Sequence, residues 1–333
     1  NMGQSTNDTF PTAVRIGLLL ILKETMHGPL EALERSLVDK GKEFNGILKS
    51  ARTHLQDAVP IRLGQEFTAY GEAIKKCRQS LLHAEKSLWE LGIGGSAAGT
   101  GLNVAHGYRE EIINELSQMT GFPLLSAQDM REAMQSQRPL AEVSSALRNL
   151  ALEIIRIVND LRLMSSGPTT GFAEINLPAM APGSSIMPGK VNPSILEMVN
   201  MVAFQMIGCD SVVAMAVQAG QLELNVMMPV MAYNLNFGVT IFGNALKVLR
   251  EKCVDGITAN KEQCRHFAES SMGLAAALNA FIGYAKAAEV AKEALQSKKT
   301  IIQVIREKKI LSEEQIKKVM DPVKMTEPGI PGK

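Results

Sequence analysis

Residues 183–193 carry the side chains in this sequence that are best suited to chemistry. The segment reads Gly-Ser-Ser-Ile-Met-Pro-Gly-Lys-Val-Asn-Pro. No apolar period runs through it, which indicates a loop. Asn192 followed by Pro193 is typical of a helix start, where free N–H groups and the helix dipole favour anions, and Lys190 adds a positive charge. The pattern has two interpretations: a surface loop before a capped helix, which is the commoner structure for such a segment, and a mobile anion-binding loop with a serine placed to do chemistry.

Two further segments are dense in polar side chains. Residues 4–9 read Gln-Ser-Thr-Asn-Asp-Thr and precede a strongly apolar stretch, so Ser5, Thr6 and Asn7 are candidates for ligand binding or for helix capping. Residues 52–60 read Arg-Thr-His-Leu-Gln-Asp-Ala-Val-Pro. This second segment is predicted to form a polar loop that ends at a proline.

His54 is the one histidine of the five whose neighbours are polar enough to suggest a site. Thr53 precedes it in the same segment. Residues 92–103 are rich in glycine, but they follow a predicted helix and lack the Gly-Lys-Ser/Thr ending of a phosphate-binding loop. The glycine-rich segment is therefore not predicted to bind phosphate.

Long apolar helices must position these polar segments. The periodicity predicts helices over residues 10–50 with a kink at Gly28-Pro29, 64–90, 140–165, 195–217 and 229–254. From residue 257 the predicted helices are shorter and richer in Lys and Glu. The sequence thus predicts an all-α protein, with a long-helix bundle domain over 1–256 and a small C-terminal helical domain over 257–333. Several long helices are apolar nearly all round, which indicates an oligomer that shares the bundle.

Composition narrows the class of protein further. The net charge is +1 with both signs interspersed, which argues against a nucleic-acid or anionic membrane partner. The four cysteines lack metal-ligand spacing and are typical of reduced thiols, so we expect a cytoplasmic protein without a metal site. We also expect no apolar stretch long enough to span a bilayer.

The three polar segments together resemble the three active-site motifs of the fumarase/aspartase superfamily, in the same order. Residues 183–193 match its Gly-Ser-Ser-x-Met-Pro-x-Lys-x-Asn-Pro signature. Residues 4–12 resemble its Ser-(Ser/Thr)-Asn-Asp motif, and residues 52–60 resemble its Thr-His-x-Gln-Asp motif. Because the resemblance extends over essentially the whole chain, the sequence is identified as a member of this superfamily.

Three more segments look like the aspartase branch: residues 55–60, 159–168 and 219–227. Class II fumarases are the next most similar, but they usually show Pro-Asn-Lys-Phe where residues 127–130 read Ala-Gln-Asp-Met. Aspartases commonly carry Glu at the position of Met228. The resemblance implies a carbon–nitrogen lyase that converts L-aspartate to fumarate and ammonia. Fumarate hydratase is the alternative, and a non-catalytic scaffold protein or an inactive fragment is a remote one.

The resemblance also implies an assembly. Members of the superfamily are homotetramers in which four subunits share a central helical bundle. Each active site takes its three motifs from three different subunits. The superfamily's N-terminal domain, which would precede Gln4, is apparently missing from this sequence.

Residues of the signature segment receive specific roles by resemblance. Ser184 would be the general base that removes a Cβ proton, provided that its alkoxide is stabilised. Ser185 would help to hold the doubly negative aci-carboxylate that forms. Lys190 and Asn192 would bind the α-carboxylate. The resemblance implies no metal and no organic cofactor.

Other subunits would supply the remaining residues. Those assigned to the β-carboxylate and the amino group are Ser5, Thr6 and Asn7. Thr53 and His54 would face the substrate from a third subunit, and His54 could orient the substrate or hold the leaving amine. Glu197 lies where the superfamily places a carboxylate partner for this histidine, a pairing that favours the imidazolium.

Overall fold

A computed structural model describes residues 2–180 and 183–332, and this described part is predominantly helical. The helices are α1 (Thr6–Ile21), α2 (His27–Glu43), α3 (Leu63–Glu85), α4 (Tyr108–Thr120), α5 (Met130–Gln135), α6 (Arg138–Met164), α7 (Ser194–Gln218), α8 (Met228–Lys252), α9 (Lys261–Ser270), α10 (Asn279–Ile282), α11 (Tyr284–Ser297), α12 (Ile301–Glu307) and α13 (Glu313–Val319). The strands are β1 (Leu48–Thr53), β2 (Gln56–Arg62), β3 (Glu90–Leu91), β4 (Leu125–Ser126), β5 (Ile175–Asn176) and β6 (Thr258–Ala259). The predicted all-α class is confirmed.

The chain divides into two compact units. One combines Asn1–Ser36, Gly71–Arg162 and Ala179–Asp255, and the other combines Leu37–Tyr70, Leu163–Pro178 and Gly256–Lys333. The second unit thus adds two earlier segments to the C-terminal residues. The predicted domains 1–256 and 257–333 stay a prediction.

The first unit is built around α7 and α8, which pack against each other along their length, with α1 against α8. By length and composition, α7 is apolar enough to cross a membrane, although a third of its most apolar window is buried in the unit. The expectation that no such segment exists is therefore wrong for α7. Core helices of other proteins pass the same test, so the finding by itself is weak.

The connection between α1 and α2 departs from regular helix. Residues Leu22–Met26 form a π-helical turn, one turn before the predicted kink. Pro29 has no N–H to bond to the Thr25 carbonyl, which loosens the helix at this point. That carbonyl faces α8, where a Cβ on Gly243 would lie only 2.2 Å from it. The predicted extension of α2 to residue 50 is wrong, because residues 48–50 pair with residues 60–62 as strands instead.

The second unit contains a β-hairpin where the sequence predicted a loop. β1 and β2 pair antiparallel, with Thr53 opposite Gln56 and Arg52 opposite Asp57. The turn has no Asn-Gly signature, and Pro60 argues against a strand, so the hairpin was missed. Proline is tolerated here because the sheet has only two strands. A separate apolar core holds α11 to α13 together, with Leu278, Ala294 and Ile305 fully buried.

Gly243→Ala should lower the melting temperature of the protein. Its methyl group would meet the Thr25 backbone, which cannot move aside as a flexible side chain would. Overpacking of this kind costs about 1–3 kcal/mol. Gly17→Ala is the matched control, because a Cβ there meets nothing within 4 Å and alanine favours helix. Equal melting temperatures for the two variants would contradict the close approach of α8 to the π-helical turn.

Candidate active site

The first polar motif forms the N-terminus of α1. Ser5 is the N-cap: its Oγ accepts a hydrogen bond from Asn7 N at 3.1 Å, and its own N–H donates to Asp8 Oδ1 at 3.0 Å. In the single chain, Ser5 therefore caps the helix, which is the second of the two roles predicted for it. Thr6 is exposed, and Asn7 donates from Nδ2 to the Ala97 carbonyl at 2.9 Å. Asn7 keeps its Oδ1 acceptor for other partners.

Asp8 links this motif to the glycine-rich segment. Its side chain is fully buried, and its Oδ2 accepts hydrogen bonds from Gly94 N at 3.1 Å and Ser96 N at 2.9 Å. Gly94 has a φ of +89°, a left-handed conformation that favours glycine. At most, the sequence predicted that Asp8 caps a helix, and the glycine-rich segment was considered only as a phosphate-binding loop. A carboxylate three residues after a capping serine was the available signal.

Thr53 and His54 lie at the tip of the β1–β2 hairpin and are both exposed. The two turn residues, His54 and Leu55, have φ values of 53° and 61°. Two-residue hairpin turns with both φ values positive prefer Asn-Gly, because a Cβ is disfavoured in this region. His54 and Leu55 therefore occupy a turn in which Asn and Gly would be less strained. Strained backbone of this kind is typical of functional sites.

The inner face of the hairpin carries a buried ionic cluster. Lys49 Nζ lies 2.9 Å from Glu66 Oε1 and 2.9 Å from Glu174 Oε2, and Arg52 Nη1 lies 2.8 Å from Glu174 Oε1. Burial lowers the pKa of Lys49, but the two carboxylates together raise it above its usual value. The Lys49 pairs therefore contribute stability at neutral pH and lose it only as the pH rises through that raised pKa. Sequence reasoning missed the cluster because its members are far apart in the chain.

The signature loop is closed by Asn192. Its Nδ2 donates to the Gly183 carbonyl at 2.7 Å, which joins the two ends of the loop. A Cβ on Gly183 would lie 1.8 Å from the Lys190 carbonyl oxygen, so only glycine fits where these two parts of the loop meet. The predicted N-cap role of Asn192 is wrong: α7 begins at Ser194, its N-cap is Pro193, and no side chain caps it. The asparagine amide is engaged across the loop instead.

Ser184 faces two backbone donors. Its Oγ accepts from Met187 N at 3.0 Å and from Ile186 N at 3.2 Å. Both N–H groups would stabilise negative charge on this oxygen, because hydrogen bonds to a charged form favour that form. Ser185 and Lys190 project from the same loop and are exposed. The loop thus carries both a hydroxyl with anion-stabilising donors and an accessible ammonium group.

Glu197 lies in the first turn of α7, and its Oε1 is 3.5 Å from Arg162 Nη2. Its predicted pairing with His54 stays a prediction. The motif residues 5–7 and 184–192 belong to the first unit, whereas Thr53 and His54 belong to the second. Each motif is organised by hydrogen bonds to its own neighbourhood.

Two buried cysteines are poor nucleophiles in this fold. Cys209, Cys253 and Cys264 are buried, and burial raises the pKa of Cys253 and of Cys264 to about 12. Thiolate is the reactive form of cysteine, so the Cys253 and Cys264 thiols are inert near neutral pH. Within residues 2–180 and 183–332, no group of three His, Cys, Asp or Glu side chains is arranged to hold a metal ion.

Comparisons with known proteins identify the family of this chain. The family described as "Lyase" matches residues 1–208, and the family described as "Fumarase C C-terminus" matches residues 274–327. The chain therefore belongs to the fumarase/aspartase superfamily of lyases. It is 42% identical to an aspartate ammonia-lyase of Bacillus subtilis over all of this chain and 70% of the relative. It is 45% identical to that of Helicobacter pylori strain 26695 over 98% of this chain and 70% of the relative.

Two solved structures share the fold. One is a fumarate lyase:delta crystallin from Brucella melitensis, bound to cobalt, with a TM-score of 0.94 and 45% identity. The superposition covers 98% of this chain and 71% of the Brucella chain. A class II fumarase from Schistosoma mansoni also has a TM-score of 0.94, at 33% identity, with coverage of 98% and 71%. The predicted existence of a further N-terminal domain stays a prediction.

Asp8→Asn should lower the melting temperature and speed proteolysis within residues 92–103. An asparagine keeps one acceptor oxygen but turns an NH₂ group toward backbone donors. A buried N–H left without a partner costs about 1–3 kcal/mol. Asp39→Asn is the matched control, because Asp39 is exposed and its pair with Lys42 lies on the surface. If both variants melt and digest alike, Asp8 does not hold the glycine-rich segment.

Proposed function

We propose that this protein is an aspartate ammonia-lyase, which converts L-aspartate reversibly to fumarate and ammonia. The observation that carries the proposal is the signature loop, where the Ser184 oxygen meets two backbone N–H donors in the same loop that carries Lys190. The aspartate ammonia-lyases at 42% and 45% identity over at least 98% of the chain support the choice of substrate.

The reaction is an anti elimination in two stages. The Ser184 alkoxide takes a proton from Cβ of the substrate, and the electron pair of that C–H bond moves onto the β-carboxylate. The resulting aci-carboxylate carries two negative charges and needs preorganised donors. Ser185 supplies one, and Ser5, Thr6 and Asn7 supply the others from a second subunit. The electron pair then returns to form the Cα–Cβ double bond, and the Cα–N bond breaks to release ammonia.

The α-carboxylate is held by Lys190 and Asn192. Lys190 is exposed in the single chain, so its charge is available to an incoming anion. Asn192 uses one hydrogen of Nδ2 to close the loop, and the second hydrogen remains for the substrate. Thr53 and His54 approach from a third subunit. There, His54 orients the substrate or holds the leaving amine, and Glu197 is its carboxylate partner.

The active assembly is a homotetramer in the cytoplasm, with sites shared between three subunits. Support for association comes from the large apolar side chains that α7 and α8 expose in the single chain. These are Met201, Phe204, Val212, Met215, Val230, Tyr233 and Phe237. Water-exposed apolar residues in such numbers are typical of protein interfaces. A shared bundle would bury them and would also account for the apolar character of α7.

The choice between aspartate and malate can be tested directly. Fumarate is followed by its ultraviolet absorbance with L-aspartate and with L-malate in parallel. We expect turnover of aspartate, and turnover of malate alone would replace the proposal with fumarate hydratase, which the resemblance to a class II fumarase accommodates. Turnover of neither by the intact gene product would favour a non-catalytic scaffold.

Ser184→Ala should lower kcat for aspartate by about 10²-fold or more, the usual loss for a general base. Ser297→Ala is the matched control, because the Ser297 hydroxyl only donates to the Glu293 carbonyl within α11. Activity of Ser184→Ala within a few-fold of the parent would show that Ser184 is not the base.

Mixing subunits tests the shared site with the same variant. Ser184→Ala and His54→Ala proteins are unfolded together and refolded, so that their subunits assort. If the two residues come from different subunits, about one quarter of the sites in an equal mixture regain both. Activity that stays at the level of the separate variants would contradict the shared site.

A further inference from the structure

The tip of the β1–β2 hairpin needs support from outside the turn. His54 and Leu55 both adopt left-handed backbone conformations, with φ values of 53° and 61°, which side chains with a Cβ disfavour. Both are exposed, so the turn gains little from its own packing. A strained conformation persists only where surrounding structure holds it. Some nearby group must therefore fix the end of β1 from which the tip projects.

Arg52 is the residue placed to do this. It directly precedes Thr53, and its guanidinium is clamped on three sides. Nη1 lies 2.8 Å from Glu174 Oε1, while Cζ lies 4.1 Å from the ring centroid of Phe172 and 4.9 Å from that of Phe267. A planar guanidinium that pairs with a carboxylate and stacks on aromatic rings has little freedom to rotate.

The anchor itself is rigid. Glu174 is fully buried, its N–H donates to the Met164 carbonyl at 2.8 Å, and its carbonyl accepts from Asn260 N at 2.9 Å. Lys49 neutralises its second carboxylate oxygen at 2.9 Å. The carboxylate therefore cannot follow a displaced arginine, and the position of Arg52 is imposed by the core of the second unit.

Strand geometry transmits this position to the site. Successive side chains of a strand point to opposite faces, so an inward Arg52 turns Thr53 outward. The register of β1 shifts between Ser50 and Arg52, and such irregularities re-aim the side chains that follow. His54 comes next, at the turn.

We propose that Arg52 is a positioning residue for the lyase reaction: clamped by Glu174, Phe172 and Phe267, it fixes Thr53 at the end of β1 and thereby orients His54 toward the substrate. This inference rests on the proposed function, in which those two residues face the substrate. Arg52 itself does not contact the reacting atoms.

The central test is a double-mutant cycle on the full protein. Arg52→Ala is expected to lower kcat for aspartate at least 10-fold with a smaller change in KM. Because Arg52 acts through His54, adding Arg52→Ala to His54→Gln should cause little further loss. If Arg52 had a purely structural role, the loss of activity in the double variant would instead be the product of the losses in the two single variants. Multiplied losses, full activity of Arg52→Ala, or full activity of His54→Gln would each overturn the proposal.

Two further variants keep the test decisive. Arg62→Ala is the matched control: it removes an arginine from the other strand of the same hairpin, where the partner is the half-exposed Glu327. It should retain the parent activity, and an equal loss there would overturn a specific role for Arg52. If Arg52→Ala does not fold, the cycle is run with Arg52→Lys, which keeps the charge but not the planar stack.

Chemical rescue gives an independent readout. Guanidinium chloride at low millimolar concentration should restore part of the activity of Arg52→Ala, whereas sodium chloride should not. It should restore nothing when His54→Gln is also present. Equal rescue in both backgrounds would contradict positioning through His54.

The substrate choice and the role of Arg52 can fail separately. If the wild-type protein acts on L-malate and not on aspartate, the proposed substrate is wrong, and the same cycle is run with malate. A wild-type protein that acts on neither overturns the proposed function and this inference together.

Discussion

Complete burial of a carboxylate is the constraint on which the functional loops depend. Asp8 and Glu174 are both inaccessible to water, and a charge in that position is tolerated only when donors satisfy it. Asp8 accepts from the backbone of its own cap and of the glycine-rich segment. Glu174 takes its partners from two side chains of β1. Each carboxylate thus fixes the geometry of the polar motif beside it, one in each unit of the chain.

Each of the three motifs has its own local hydrogen bonds, but none of them contains all the residues that the proposed reaction needs. Ser184 has its stabilising donors and Asn192 closes its loop, whereas the donors for the β-carboxylate lie on a separate motif. In the proposed tetramer, the exposed apolar side chains of α7 and α8 become buried as the motifs of different subunits meet. Association and catalysis would then share one driving force, because the hydrophobic surface that assembles the bundle also assembles the site.

The long helices could be predicted from the sequence, because a sustained apolar stripe is visible within one segment and does not depend on distant residues. The bounds of α6, α7 and α8 agree with the predicted ranges to within about two residues, as expected for helix ends. The hairpin and the closure of the signature loop could not be predicted from the sequence. His54-Leu55 lacks a turn signature, and Asn192-Pro193 has the local pattern of a helix cap although its amide bonds to Gly183. In both cases a specific pairing outweighs the local preference: β1 with β2 in the hairpin, and Asn192 with Gly183 in the loop.

By itself, the sequence determined the helical class, the order of the three motifs and the identities of the residues that we propose do the chemistry. These depend on residue type and on spacing along the chain, which the sequence states directly. Only the tertiary structure decided that Asp8 joins the glycine-rich segment, that Thr53 and His54 sit on a strained hairpin, and that Glu174 meets Lys49 and Arg52. The Asp8 and Glu174 pairings join residues at least 86 positions apart, and their free energy exists only once the intervening chain has folded and excluded water.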